Sequence, residues 1–110
     1  MTRTVYKYPL AFGLTRLVVP VQSEIRHVAM QGESVCLWME VDPQTWSEKR
    51  RFAVIGTGWP VPSDGRYVGT AMTPDGAYVW HVYEIAAASE PDASQASDEP
   101  TGTHPAQPVP

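Results

Sequence analysis

Ala77-Tyr78-Val79-Trp80-His81-Val82-Tyr83-Glu84 is the stretch that decides the fold. Side chains alternate across a strand, so Tyr78, Trp80 and Val82 fall on one face, with Glu84 at its end. Val79, His81 and Tyr83 fall on the other. Branched and aromatic residues fit a pleated surface and lose side-chain freedom in a helix. Both faces carry large side chains, so neither is expected to lie bare. Just upstream, Pro74-Asp75-Gly76 is a turn: proline presets φ and glycine accepts a positive φ.

Working outward, the same pattern recurs at intervals of mostly 8–13 residues, with a turn signal in each gap. Strands are expected over residues 4–8, stopped by Pro9; 14–19, stopped by Pro20; 24–30; 34–41; 51–55; 66–72; and 77–84. Gly32-Glu33 sits between two apolar runs, as a tight hairpin connection would. Residues 34–41 are apolar on both parities except at their ends, which predicts a central strand covered on both faces. Asp42-Pro43 opens a turn, and residues 44–49 could close one helical turn. Residues 56–65 form a loop dense in Gly and Pro. No ten-residue segment shows a 3.6-residue apolar period. The expectation is an all-β domain over residues 1–85: a small antiparallel β-sandwich, or a curled β-meander or barrel, of about seven strands.

Residues 86–110 differ in kind. They hold five prolines, no aromatic residue, no Lys and no Arg. So little apolar surface cannot offset an ordering cost of about 1–2 kcal/mol per residue, and a disordered, Pro-rich acidic tail is expected. Charge divides at the same place. Eight basic and eight acidic residues lie before it; Glu90, Asp92, Asp98 and Glu99 after it supply the net charge of −4. A neutral domain argues against duplex nucleic acid, which calls for a basic face. Cys36 is the sole cysteine, so no internal disulfide forms. No secretory leader or membrane-length apolar run is visible. A cytoplasmic location is expected.

Candidate sites are few. Gly56-Thr57-Gly58 resembles the start of an anion-cradling loop, but Trp59-Pro60 follows and neither phosphate-loop pattern completes. The alternative is a turn that needs its glycines. Trp59, in a Gly/Pro loop, either offers an exposed contact or folds back to cap an open end of the sheet. Trp46, in a polar loop, is the second such aromatic. Arg50 and Arg51 could meet a phosphate or an acidic partner, or form a solvated strand entrance. His81 has no neighbour at metal-ligand spacing and reads as a hydrogen-bonded structural histidine. Cys36 lies in an apolar run with no base indicated. Thr57, Gly58, Trp59, Arg50, Arg51 and His81 are the candidate binding residues. No catalytic residue, metal or cofactor is expected.

Several segments together resemble a small family of uncharacterised tailed-phage and prophage proteins. They are Tyr6-Lys7-Tyr8-Pro9-Leu10, Leu37-Trp38 with Val41-Asp42-Pro43, Phe52 with Ile55-Gly56-Thr57-Gly58 and Pro60, Tyr67-Val68-Gly69-Thr70, and residues 79–84. The resemblance implies a phage-encoded accessory role and transfers no catalytic residue. Where that family often has a His after the Gly-Thr-Gly segment, this chain has Trp59. The expected function is therefore noncatalytic: binding a host or phage protein, in the host cytoplasm if phage-encoded. Two alternatives stay open. One is a nucleotide or nucleotide-signal binder using Thr57, the neighbouring glycine amides, Arg50, Arg51 and Trp59, with Trp59 stacking on a base. The other is a minor structural virion component, for which a homo-oligomer would be natural.

Overall fold

The computed structural model describes residues 2–86. Seven strands run through them: β1 (Thr4–Leu10), β2 (Gly13–Pro20), β3 (Glu24–Gln31), β4 (Ser34–Val41), β5 (Ser47–Gly56), β6 (Gly65–Met72) and β7 (Val79–Ile85). They form two antiparallel sheets, ordered β1-β4-β3 and β2-β5-β7-β6. The expected all-β architecture is thus realised as a sandwich, with no helix among the described residues. The expected tail, apart from Ala86, lies outside the described residues.

The core follows from strand parity. Val35, Leu37, Met39 and Val41 share one face of β4 and are wholly buried. Across the gap they meet Phe52 and Val54 of β5 and Trp80 and Val82 of β7. Burying such a side chain stabilises by about 1.5–3 kcal/mol. A smaller cluster, Ala53, Ile55 and Ile85, lies on the outer face of the four-stranded sheet, with Tyr83 and Trp59 against it.

Four local expectations need correction. Pro9 does not end β1; it pairs in register with Cys36 and the strand runs on to Leu10. β1 is an edge strand with one neighbour, where a missing N–H donor is tolerated. The helical turn at residues 44–49 is not formed. The Asp42 carboxylate accepts the Gln44 N–H (3.1 Å), and β5 already begins at Ser47 because Ser47, Glu48 and Lys49 find partners on β2. β7 begins at Val79, two residues later than expected, because Ala77 and Tyr78 are still held in the turn by Asp75 and Thr73. Finally, β4 is covered by packed strands on one face only. On the other, Trp38 lies against His27 (5.6 Å between rings) and Glu40 is clasped by Arg3 and Arg26.

Two glycines are required by geometry. Gly32 has φ 61° at the first central position of the two-residue β3–β4 turn, the pattern of a type II′ hairpin. Gly69 sits where β6 of one sheet closes on β3 of the other. A Cβ there would lie 2.8 Å from Val28 Cγ2. Both strands are irregular nearby: the register slips at Arg26 in β3 and at Val68 in β6.

Candidate functional site

On the outer face of the four-stranded sheet, the ladder sets Ile55 and Thr70 on either side of His81. Thr57 follows Ile55 by two residues and reaches the same face. Its Oγ1 lies 2.9 Å from His81 Nε2, and Thr70 Oγ1 lies 3.3 Å from Nδ1. The Tyr67 hydroxyl extends the row to Thr70 Oγ1 at 2.6 Å. Both ring nitrogens of His81 are thereby engaged by hydroxyl groups of the domain itself.

The glycine loop closes as a turn. The Trp59 N–H donates to the Gly56 carbonyl (3.0 Å), and Gly58, third in that turn, has φ 94°. Those are the requirements of a type II turn. Trp59 then folds back. It is half-buried, meets Trp80 edge-on at 5.9 Å, and touches both apolar clusters. It occupies the capping position. Trp46, by contrast, is 79% exposed.

Arg50 and Arg51 stand apart from this group. As neighbours on β5 they project to opposite faces. Arg50 Nε and Nη2 donate to the two Glu84 oxygens (2.7 and 2.8 Å), and Nη1 donates to the Ser23 carbonyl (2.7 Å). Its guanidinium lies 5.7 Å from the Phe52 ring centre. The hydrogen bonds to Glu84 push its pKa up against the opposing effect of burial. Arg66 grips the same carboxylate at 2.8 Å. Seven residues of strand, at about 3.3 Å each, separate Arg50 from Thr57, roughly 23 Å. The six candidate residues therefore form two groups: Thr57, Gly58, Trp59 and His81 together, with the arginines elsewhere.

A different site lies at the turn end of the sandwich. The β1–β2 connection brings in Phe12, the β3–β4 hairpin Met30 and Glu33, and the β6–β7 turn Asp75 and Tyr78, over Trp80. Together they line an open groove of ≈ 490 Å³, within the size range of ligand sites. The Phe12 and Trp80 rings are 4.2 Å apart and tilted by 32°; Tyr78 lies nearly parallel to Trp80, 21° off, at 6.4 Å. Phe12 is half exposed. The rim opposite it is stiff. Thr73 and Tyr78 exchange backbone and side-chain hydrogen bonds, and the Asp75 carboxylate accepts from the Ala77 amide (2.9 Å) and the Thr73 hydroxyl (2.8 Å). Those two donors hold the Asp75 carboxyl below its usual range, so it is charged. No Lys or Arg lines the groove.

A family model for a domain of unknown function, DUF7352, matches residues 1–92. The chain belongs to that family. No curated protein and no solved structure gives a significant match. The DUF7352 match spans every segment that builds both the His81 group and the groove. Among the described residues of this DUF7352 domain, no set of three or more His, Cys, Asp or Glu side chains is placed to hold a metal. Cys36 is buried, its Sγ 3.9 Å from the Ser34 carbonyl. No described helix is long and apolar enough to cross a membrane.

The groove is not legible locally, because Phe12 comes from a segment far from the one that carries Tyr78 and Trp80. Trp80 and Tyr78 read as core from the alternation of the last strand. Phe12 carried the one usable signal: a large apolar side chain between Ala11 and Gly13, in a connection where nothing requires it for packing.

Proposed function

We propose that this domain is a noncatalytic accessory protein that acts by binding another protein through the groove at its turn end. The observation that carries the reading is Phe12, half exposed yet stacked on the nearly buried Trp80, at the mouth of a groove with an aromatic floor. An aromatic anchor facing a braced turn is the kind of feature that concentrates binding energy in protein interfaces. The engagement of both His81 nitrogens by Thr57 and Thr70 supports a structural role for that ring rather than proton transfer to a substrate. The setting we propose is a phage or prophage one, in the host cytoplasm, resting on the resemblance of the segments quoted above. The nucleotide reading draws less support, since Arg50 is spent on Glu84 far from Thr57 and Trp59.

Affinity purification from infected cells, with mass spectrometry of what is retained, tests the proposal. The expected result is a protein partner that Phe12→Ala loses and Trp46→Ala keeps. A partner that survives Phe12→Ala, with the variant still folded, would place the binding surface elsewhere.

A further inference from the structure

We infer that the groove at the turn end takes an arginine side chain, presented by an exposed segment of the partner protein. This rests on the protein-binding reading and adds the chemistry of what is bound. The groove is lined by the partly exposed rings of Phe12 and Tyr78 over the nearly buried Trp80, with Tyr78 and Trp80 nearly parallel. A guanidinium is planar, weakly hydrated and stacks on such faces, and it also pairs with carboxylates through a fork of N–H donors. Carboxylates stand on both sides of the opening, Glu33 on the β3–β4 hairpin and Asp75 on the β6–β7 turn. Among the described residues neither forms an ion pair with a cation of the domain, whereas Glu24, Glu40 and Glu84 all do. An open groove lined by aromatic rings, with two carboxylates that lack an ion-pair partner, complements a cation with a flat face.

The occupant does not come from this chain. Residues 86–110 contain no Arg or Lys and four acidic residues, so their charge opposes entry. A second copy is no better a source. Arg3, Arg26, Arg50 and Arg66 are bound to carboxylates, and Arg16 and Arg51 are engaged as well. An arginine on a different protein fits what remains. Arginine is favoured over lysine because the ammonium is compact and strongly hydrated and has no flat face to stack.

The test uses the full chain, labelled with nitrogen-15, and three short peptides alike except at one position: arginine, lysine or citrulline. Citrulline keeps the shape of arginine and removes the charge. The expected result is a saturable change confined to the Trp80 indole and to the amides of Phe12, Glu33 and Asp75, with the arginine peptide. The citrulline peptide should bind about tenfold more weakly or worse, and Glu33→Gln should weaken the arginine peptide several-fold. Glu33 is at an exposed turn tip, so that variant keeps the fold, which the unchanged remainder of the spectrum verifies. Equal response to arginine and citrulline, a lysine peptide as good as arginine, or no response at the groove each overturns the inference. The two readings fail separately. A captured partner that needs Phe12, but is displaced neither by the arginine peptide nor by Glu33→Gln, leaves protein binding standing and removes the arginine.

Discussion

Arg50 holds Glu84 through two hydrogen bonds, 2.7 and 2.8 Å, between adjacent strands and with only 15% and 13% of their side chains exposed. A bidentate pair at that depth differs from the surface ion pairs around Glu24. Removing one partner leaves the other desolvated. Arg50→Ala and Glu84→Gln should each cost about 2–3 kcal/mol, while Arg66→Ala, whose guanidinium is exposed, should cost about 1 kcal/mol or less. Urea unfolding followed by tryptophan fluorescence reads all three. Equal costs would show that the pair is an ordinary surface contact.

Gly69 faces Val28 where the two sheets come closest. A methyl group there would sit 2.8 Å from Val28 Cγ2, so Gly69→Ala should destabilise by about 1–3 kcal/mol. Val28→Ala should recover part of that loss, since it removes the atom that clashes. The two changes are therefore expected to be coupled, and a purely additive double variant would refute the close-approach explanation.

Two rings of the groove, Trp80 and Phe12, should behave oppositely. Trp80 lies in the main core, and Trp80→Ala should cost about 3–5 kcal/mol. Phe12, half exposed, should cost about 1 kcal/mol or less when truncated. Thermal denaturation of the pair is the check. A large loss from Phe12→Ala would mean that the ring serves packing and not recognition.

Acid should weaken the domain through two carboxyls. Hydrogen bonds from Arg3 and Arg26 hold Glu40 below its ordinary value of 4.5, and the Ala77 amide and Thr73 hydroxyl hold Asp75 below 3.8. Each group binds its proton more readily in the unfolded chain. Its contribution to stability is therefore complete above the ordinary value and is lost as pH falls through the lower folded one. Melting temperature should decline from about pH 5 to about pH 3, and Glu40→Gln should make the decline shallower. An unchanged slope in that variant would remove Glu40 from the account.

The existence of the strands was legible because each carries its own local signal. The period-two pattern of residues 79–84, the glycine at 32 and the proline-glycine turn at 74–76 each required nothing distant. What was not legible depends on pairing. Pro9 stops a strand with neighbours on both sides, and only the sheet order shows that β1 has one. Ser47, Glu48 and Lys49 have weak strand preference, and β2 recruits them. The separation of Arg50 from Arg51 is local too: adjacent residues in any strand face opposite ways. The groove as a whole was not legible beyond the signal at Phe12, since three turns far apart in the chain assemble it.

Three of the four outermost strands are interrupted along their length, β1 by Pro9, β3 by the slip at Arg26 and β6 by the slip at Val68, and β2 ends on Pro20. Each interruption spoils the regular row of donors and acceptors that an incoming chain would copy. In a protein rich in β structure, with no internal disulfide to lock it, such edges disfavour edge-to-edge growth into fibres. The same feature bears on the proposed binding: a partner would hold side chains at the turn end of the domain and would not add a strand to either sheet.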